Sequence, residues 1–449
     1  MSETRSRPRL PKLRGTRLPI AIIVAVVLGA LFFTTFVVID MRASSQDHDR
    51  ERVAYFADWN VANRGYTIRE MDESGAAERL STLLWAFGDV NTDGECHVMD
   101  HQAWELYQRR YDSDNSVIGR SDTYEQPLAG SVNQLRLLRE KYPDLRAGIS
   151  LGGWNLSQNF STAAATEESR QAFVSSCIDL WIRGDLPKLP GEPQGGDGVA
   201  EGVFTGIDLD WEWPAGNGRS DNITSEDDKE NFTLLAQEFR RQLDDYARET
   251  GREVFLSASL PQDEGLMRDG VEEEVFDTLD FAMIQGYDMN GAWSSRAAPH
   301  SQLHTPRDAP DDRSAASADA AVRRYLDHGL DPEKLVLGFP AFGRGWEGVG
   351  SENDGRFQPA SGGAPGTYGE HTRSYADLSR FEGERFHDEA SGASWIYNGY
   401  EWWAYDSPEV IHQKGAYVID EGLGGLMQWN LDQDPDAELV RAMDDSLGG

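Results

Sequence analysis

From Arg52 onward the chain alternates short apolar runs with longer stretches of helical period. Eight runs read as strands: Val53–Ala57, Thr82–Phe87, Ala147–Leu151, Val203–Trp211, Val254–Leu260, Asp280–Gln285, Leu335–Pro340 and Gly425–Trp429. Most are apolar throughout rather than alternating, as in strands covered on both faces. Between them, Ser131–Lys141, Glu167–Ile182, Lys229–Thr250 and Ala315–His328 read as helices, and Pro435–Leu447 follows the last run. This α/β pattern predicts a (β/α)8 TIM barrel. A doubly wound sheet is the alternative, and eight strands with a closing helix argue against it. Residues 347–402 have no place in the repeat; rich in Gly, Tyr and Trp, they read as a small α+β insertion between the seventh and eighth strands.

The N-terminal region follows another pattern. Leu18–Ile39 is apolar except for Thr34 and Thr35 and carries no charge. As a helix it would span about 33 Å, enough for a transmembrane signal-anchor crossing a hydrocarbon core of about 30 Å. Arg5, Arg7, Arg9, Lys12, Arg14 and Arg17 precede it. The positive-inside rule therefore makes residues 1–17 a cytoplasmic tail and puts everything after Asp40 outside. Residues 40–51 read as a linker, and 52–449 as the barrel. The competing reading is a cleaved signal peptide, with Ala43-Ser44-Ser45 as a peptidase site.

The charge is lopsided, with 77 acidic against 42 basic side chains and a net charge of −35. Such a surface repels nucleic acid and anionic lipid, so the membrane is met only through the N-terminal segment. Lysine is scarce (Lys12, Lys141, Lys188, Lys229, Lys334 and Lys414). Abundant carboxylates with little lysine suit a salt-loving habitat, where screening within about 3 Å relieves self-repulsion. Cys96 and Cys177 lack metal-ligand spacing; a bridge outside the cell and two isolated thiols are both open readings.

The most informative segment is Phe204-Thr-Gly-Ile-Asp-Leu-Asp-Trp-Glu-Trp-Pro214. Asp208, Asp210 and Glu212 alternate, so on a strand they share one face at spacings of about 7 Å. They would project into the barrel near the strand's carboxyl end, where barrel enzymes keep their active sites. Burying like charges together forces some to keep protons, and a carboxyl protonated near neutral pH is what a general acid requires. An acidic exposed strand or a divalent-metal site would fit the triplet taken alone.

Gly206-Ile-Asp-Leu-Asp-Trp-Glu-Trp-Pro214 resembles the DxxDxDxE signature of glycoside hydrolase family 18, the chitinases and their relatives. Other family blocks stand in order: Val53–Trp59, Gly148–Trp154, Gln285–Asp288, Leu337–Trp346 and Gly424–Trp429. The likeness covers residues 52–445, and the 347–402 insertion matches a subdomain found in part of the family. It implies substrate-assisted retaining hydrolysis of chitin or an N-acetylglucosamine oligosaccharide, with no metal or organic cofactor. Glu212 would be the acid and base. Asp210 would hold the acetamido N–H, Asp208 would share a proton with Asp210, and Tyr287 would position the acetamido oxygen. Asp288 would bind the sugar and Trp429 would floor the reacting ring. Gln285 and Arg344 fall in the same blocks and are expected to bind substrate with them. Trp59, Trp154, Trp213, Trp293 and Trp346 follow or end strands and are candidates for sugar stacking, with burial the rival for each. Ser150, Gly152 and Gly153 are expected to pack the barrel floor. Two positions depart from the family: Thr205 replaces its first aspartate, and Gln285 its methionine.

Gly343-Arg-Gly-Trp-Glu-Gly348 fits GxGxxG but no helix follows, so it reads as a rim loop rather than a dinucleotide site. Asn155, Asn159, Asn222 and Asn231 begin N-x-S/T sequons. Two other functions remain open on the same residues: an endo-acting N-acetylglucosaminidase on glycans, and a non-catalytic chitin-binding lectin.

Overall fold

The computed structural model describes residues 50–99 and 102–448. The tail, membrane span and most of the linker expected from the sequence lie outside them. Within the described residues, no helix is long and apolar enough to cross a membrane.

Eight parallel strands close into a barrel: β1 Glu51–Ala57, β2 Thr82–Val90, β3 Arg146–Gly152, β4 Gly206–Asp210, β5 Phe255–Leu260, β6 Phe281–Ile284, β7 Leu335–Pro340 and β8 Gly425–Trp429. Each pairs with the next, and β1 pairs with both β2 and β8, so the ring has no open edge. Every strand read from the apolar runs is present. The carboxylate strand is shorter than expected, because Val203 and Phe204 lie in the turn that leads into it. The expected helices form at Gly130–Lys141, Asp228–Thr250, Ala318–Asp327 and Glu438–Leu447, while the 167–182 stretch divides into an α-helix to Cys177 and a π-helical turn to Ile182.

The apolar strands serve two cores. Outward residues such as Leu83, Ile149, Ile207, Leu209 and Leu256 pack under the helices. Inward residues make a separate cluster that includes Val53, Tyr55, Leu84, Phe255, Phe281, Met283, Val336 and Met427. Phe255 and Phe281 lie with ring centroids 5.7 Å apart at the amino-terminal end of the barrel. Gly206 makes room for them: a Cβ there would strike the Phe255 ring. The lower barrel is thus filled with hydrocarbon, and the polar residues of β3, β4 and β5 lie above it.

The insertion is larger than the 347–402 expected. It begins directly after β7 with the strand Phe342–Glu347 and runs to the strand Glu401–Tyr405. Its antiparallel sheet of six short strands surrounds a small core containing Trp346, Trp395, Tyr397 and Trp402. The glycine-rich 343–348 segment is therefore a strand rather than a rim loop; Gly345 lies against the Trp403 ring, leaving no space for a side chain. Trp346 is fully buried, which removes it from the sugar-stacking candidates.

Cys96 and Cys177 form a disulfide across 81 residues. The thiols read as open between pairing and isolation are therefore paired; the bridge ties the short strand beside β2 to the end of the 167–177 helix.

Candidate active site

Register explains the deepest part of the site. Ser150 on β3 and Ser257 on β5 are the direct cross-strand partners of Asp208 on β4. Both hydroxyls donate to its carboxylate, at 2.7 and 2.8 Å, and Tyr55 from β1 donates across the barrel at 2.9 Å. Ser150 thus does more than pack the floor. Burial pushes the Asp208 carboxyl up, and the three hydroxyls oppose that shift.

One step higher, Asp210 is almost as buried but poorly supplied with partners. Its Oδ1 is buried without any. Burial and the neighbouring charges of Glu212 and Asp208 raise it well above the usual carboxylate range, against a lowering contribution from Ser259. The physical outcome is a division of labour. Asp208, solvated by three hydroxyls, is the better place for a negative charge, and Asp210 the better place for a proton.

Glu212 follows β4 and is 8 % exposed. Its backbone is fixed from both sides: its N–H donates to Ser157 Oγ at 3.0 Å, and its carbonyl accepts from Asn222 Nδ2 at 2.7 Å. Burial, then the charge of Asp288, push its carboxyl up to about 8, partly offset by hydrogen bonds from Gln285 and the Trp154 backbone. At neutral pH Glu212 therefore carries its proton.

Asp288 behaves in the opposite way. Burial would raise it, but Arg344 grips both oxygens, with Nε to Oδ1 at 2.8 Å and Nη2 to Oδ2 at 2.7 Å. His300, fully buried, sits 3.7 Å from Oδ1. Together they hold Asp288 well below the usual carboxylate range. The insertion strand thus supplies the cation that keeps a permanent anion beside the protonated Glu212. Tyr287, largely buried, has its hydroxyl pushed well up by burial and by the carboxylates around it, and stays neutral.

Above these groups opens a cleft of about 700 Å³. Asp210, Glu212, Gln285, Tyr287, Asp288, Trp213, Trp154, Trp59, Trp293, Trp429 and Arg344 all line it. Asp208 does not; it lies beneath. Trp429 stacks on Phe87 (5.6 Å, 20° between planes), and Phe87 on Trp59 (5.9 Å, 25°). Trp154 and Trp293 are about half exposed, with ring area free for an apolar sugar face, whereas Trp213 shows 6 %.

Sequence reasoning missed Tyr55, Phe87, Ser157, Asn222, Ser257, Ser259 and His300. For the β5 serines a signal existed: Phe-Leu-Ser-Ala-Ser-Leu places two hydroxyls on one face of an otherwise apolar strand. Of the departures, Thr205 donates weakly to the Ala147 carbonyl (3.3 Å) and lies outside the strand. Gln285 reaches Ser259 Oγ at 3.4 Å. Among the sequons, Asn159 and Asn222 use their amides on the Val90 and Glu212 carbonyls, Asn231 is buried, and exposed Asn155 borders the cleft.

A closed (β/α)8 barrel with this carboxylate column below an aromatic cleft defines a class of protein. The chain belongs to the glycosyl hydrolases family 18, whose profile matches residues 51–434. Among solved structures it is similar to the catalytic domain of the psychrophilic chitinase B from Arthrobacter TAD20, with 42 % identity, a TM-score of 0.85, and 88 % of this chain and 95 % of that one covered. It also resembles a family 18 N-acetylglucosaminidase from Paenibacillus barengoltzii, with 26 % identity, a TM-score of 0.69, and 88 % and 99 % covered. Chitinase 63 of Streptomyces plicatus is 32 % identical over 402 residues, 88 % of this chain and 60 % of that protein. The chain spans about 60 % of the length of such curated relatives.

Proton linkage gives the site a signature in stability. Glu212 loses its proton near pH 4.5 when unfolded and near 8 when folded. Between those values the folded state binds the extra proton, so stability falls as pH rises. Glu212→Gln, which cannot ionise, should gain in melting temperature relative to the parent as pH goes from 5 to 8.5. The same difference at both pH values, read by calorimetry, would contradict a protonated Glu212.

Proposed function

We propose that this protein is a chitinase-type hydrolase of β-1,4-linked N-acetylglucosamine chains, acting by substrate-assisted retaining catalysis. The observation that carries the reading is the buried column Asp208–Asp210–Glu212, with a protonated Glu212 at the floor of an aromatic cleft. Glu212 gives its proton to the glycosidic oxygen as that bond breaks. The substrate's acetamido oxygen attacks the anomeric carbon and forms a cyclic oxazolinium ion, so no enzyme nucleophile is needed. Asp210, with Oδ1 unpaired in the free protein, accepts the acetamido N–H. As it does so, its proton passes toward Asp208, whose three hydroxyl donors can rearrange around a neutral carboxyl. Tyr287 hydrogen-bonds the acetamido oxygen and Trp429 stacks beneath the ring. Glu212, now ionised, takes a proton from water, and the resulting hydroxide opens the oxazolinium from the face the leaving group vacated. The product keeps the β configuration and Glu212 recovers its proton.

Trp59, Trp154, Trp213 and Trp293 extend the cleft on both sides of the reacting sugar. Retention of the acid favours an enzyme over a lectin on the same fold. An endo-acting hydrolase of glycan cores would use the same groups and differ only in which saccharide fills the cleft. The acidic surface suits activity at high salt.

Glu212→Gln should lower kcat on an N-acetylglucosamine hexasaccharide by about 10²–10⁴-fold. In the parent, kcat/KM should fall as pH rises through about 8, where the acid loses its proton, and NMR should find the β-anomer as the first product. A first-formed α-anomer, or a Glu212→Gln variant as fast as the parent, would overturn the mechanism.

We also propose that residues 18–39 anchor the barrel on the outer side of a membrane. An alkaline carbonate wash should leave the full-length chain in the membrane pellet; its release into the wash would count against an uncleaved anchor.

A further inference from the structure

After β6 the chain leaves the barrel at Tyr287–Asp288 and returns at His300, and the neck of that loop is closed by specific bonds. The Met289 N–H donates to the His300 carbonyl at 3.0 Å, and Asn290 Nδ2 to the Pro299 carbonyl at 2.8 Å. Asp288 itself has a left-handed backbone, with φ of 60°, a conformation unfavourable for a residue that carries a Cβ. On the other side of His300, Ser301 donates to Asp406 Oδ1 at 2.6 Å, and Asp406 Oδ2 accepts from Lys414 Nζ at 2.5 Å. Asp406 and Lys414 are both buried. The His300 backbone is thus pinned twice, by the strand end that carries Asp288 and by a buried ion pair that takes no part in the proposed chemistry.

The His300 side chain is fully buried, and neither ring nitrogen has a hydrogen-bond partner among the described residues. An unpaired imidazole N–H in such a place is unfavourable, so its nearest acceptor matters. That acceptor is Asp288 Oδ1, 3.7 Å from Nδ1, just beyond hydrogen-bond length. Phe342 packs against both donors that face Asp288: its ring centroid lies 5.3 Å from that of His300 and 5.1 Å from the Arg344 guanidinium. The cleft is lined by Asp288, Phe342 and Arg344 but not by His300, which stands behind the anion.

The charged and titratable groups around Asp288 are Arg344 from the insertion strand, His300 from the loop after β6, Glu212 from the end of β4, and the adjacent Tyr287. In the resting site Glu212 is protonated and Asp288 has no rival charge beside it. When Glu212 gives up its proton, two carboxylates face each other, which favours protonation of Asp288 or a turn of its side chain away. Arg344 is already engaged, with Nε and Nη2 on Asp288 and Nη1 on Thr372. His300 is placed to add support: it already helps to hold Asp288 ionised, and closing by about 1 Å would bring an Nδ1–H into bonding range.

We infer that His300 is a positioning residue for the hydrolytic step: it backs Asp288 alongside Arg344 and closes onto Oδ1 as Glu212 ionises, keeping Asp288 charged and in place. The inference rests on the proposed hydrolase reading of the cleft. Arg344 grips Asp288 throughout the cycle, whereas His300 acts most when the second anion appears.

The test compares His300→Phe and His300→Gln with the parent. Phenylalanine fills the place of the ring against Phe342 but donates nothing; glutamine fills it poorly but keeps an N–H donor. On an N-acetylglucosamine hexasaccharide, kcat should fall about tenfold or more in His300→Phe and stay within about threefold of the parent in His300→Gln, with KM changing less than about twofold in both. The acid limb of kcat should move up by about one pH unit in His300→Phe alone, because Asp288 without its second donor takes a proton more readily as pH falls. A residue that only fills space would give the reverse order, with phenylalanine the milder change. That order, or an unmoved acid limb, would overturn the inference. A 13C titration of the Asp288 carboxyl, assigned by its loss in Asp288→Asn, needs no substrate. The signal should begin to protonate at higher pH in His300→Phe than in the parent or His300→Gln; the same titration in all three would also overturn the inference. That shift in a parent that cleaves no N-acetylglucosamine chain would leave His300 as the support of Asp288 and the hydrolase reading fallen.

Discussion

The structure depends on one electrostatic constraint: three carboxyls, two on β4 and one just past its end, enclosed by a barrel whose lower half is hydrocarbon. Ionising all three there would cost far more than the fold could offset, so protons must stay on some of them. Which ones keep them is decided by what each strand brings alongside. Ser150, Ser257 and Tyr55 converge on Asp208 and supply it with donors. Asp210 has an orphan oxygen, and Glu212 faces the anion of Asp288. The gradient from a well-solvated carboxylate at the bottom to a protonated acid at the top follows from register and burial.

The second element is the Arg344 clamp. Without it Asp288 would be one more buried carboxyl competing for a proton, and its charge could not hold Glu212 up. Arg344 comes from the insertion strand that begins two residues after β7, so the subdomain helps to set the charge state of a site built on the barrel. The same guanidinium also donates to the hydroxyl of Thr372, a residue of the cleft wall, at 2.9 Å.

Much of this was legible in the sequence because the barrel strands are buried on both faces and announce themselves as apolar runs. The alternation Asp208, Asp210, Glu212 is visible for the same reason: period two on an otherwise apolar segment can only mean a shared face. The hydroxyls around Asp208 were harder, since they come from three strands and depend on pairing register, which no single segment encodes. The 343–348 segment reads as a loop because its glycines break the apolar pattern; in the structure Gly345 admits the Trp403 ring and Gly343 lies against the Ala404 carbonyl. Trp346 looked like a stacking residue for lack of any local sign that the insertion has its own core. The disulfide joins positions far apart in the chain (Cys96 with Cys177), so spacing alone could not reveal it.

Burial keeps a proton on Glu212 at neutral pH while Asp288 stays ionised. The most direct test is a 13C NMR titration of the full chain carrying carboxyl-labelled glutamate, with the Glu212 signal assigned by its loss in Glu212→Gln. The Glu212 signal should have its midpoint near 8, with an upfield, protonated shift throughout the range in which ordinary surface glutamates have already ionised. A midpoint near 4.5, with the surface groups, would contradict it and leave the barrel without its acid.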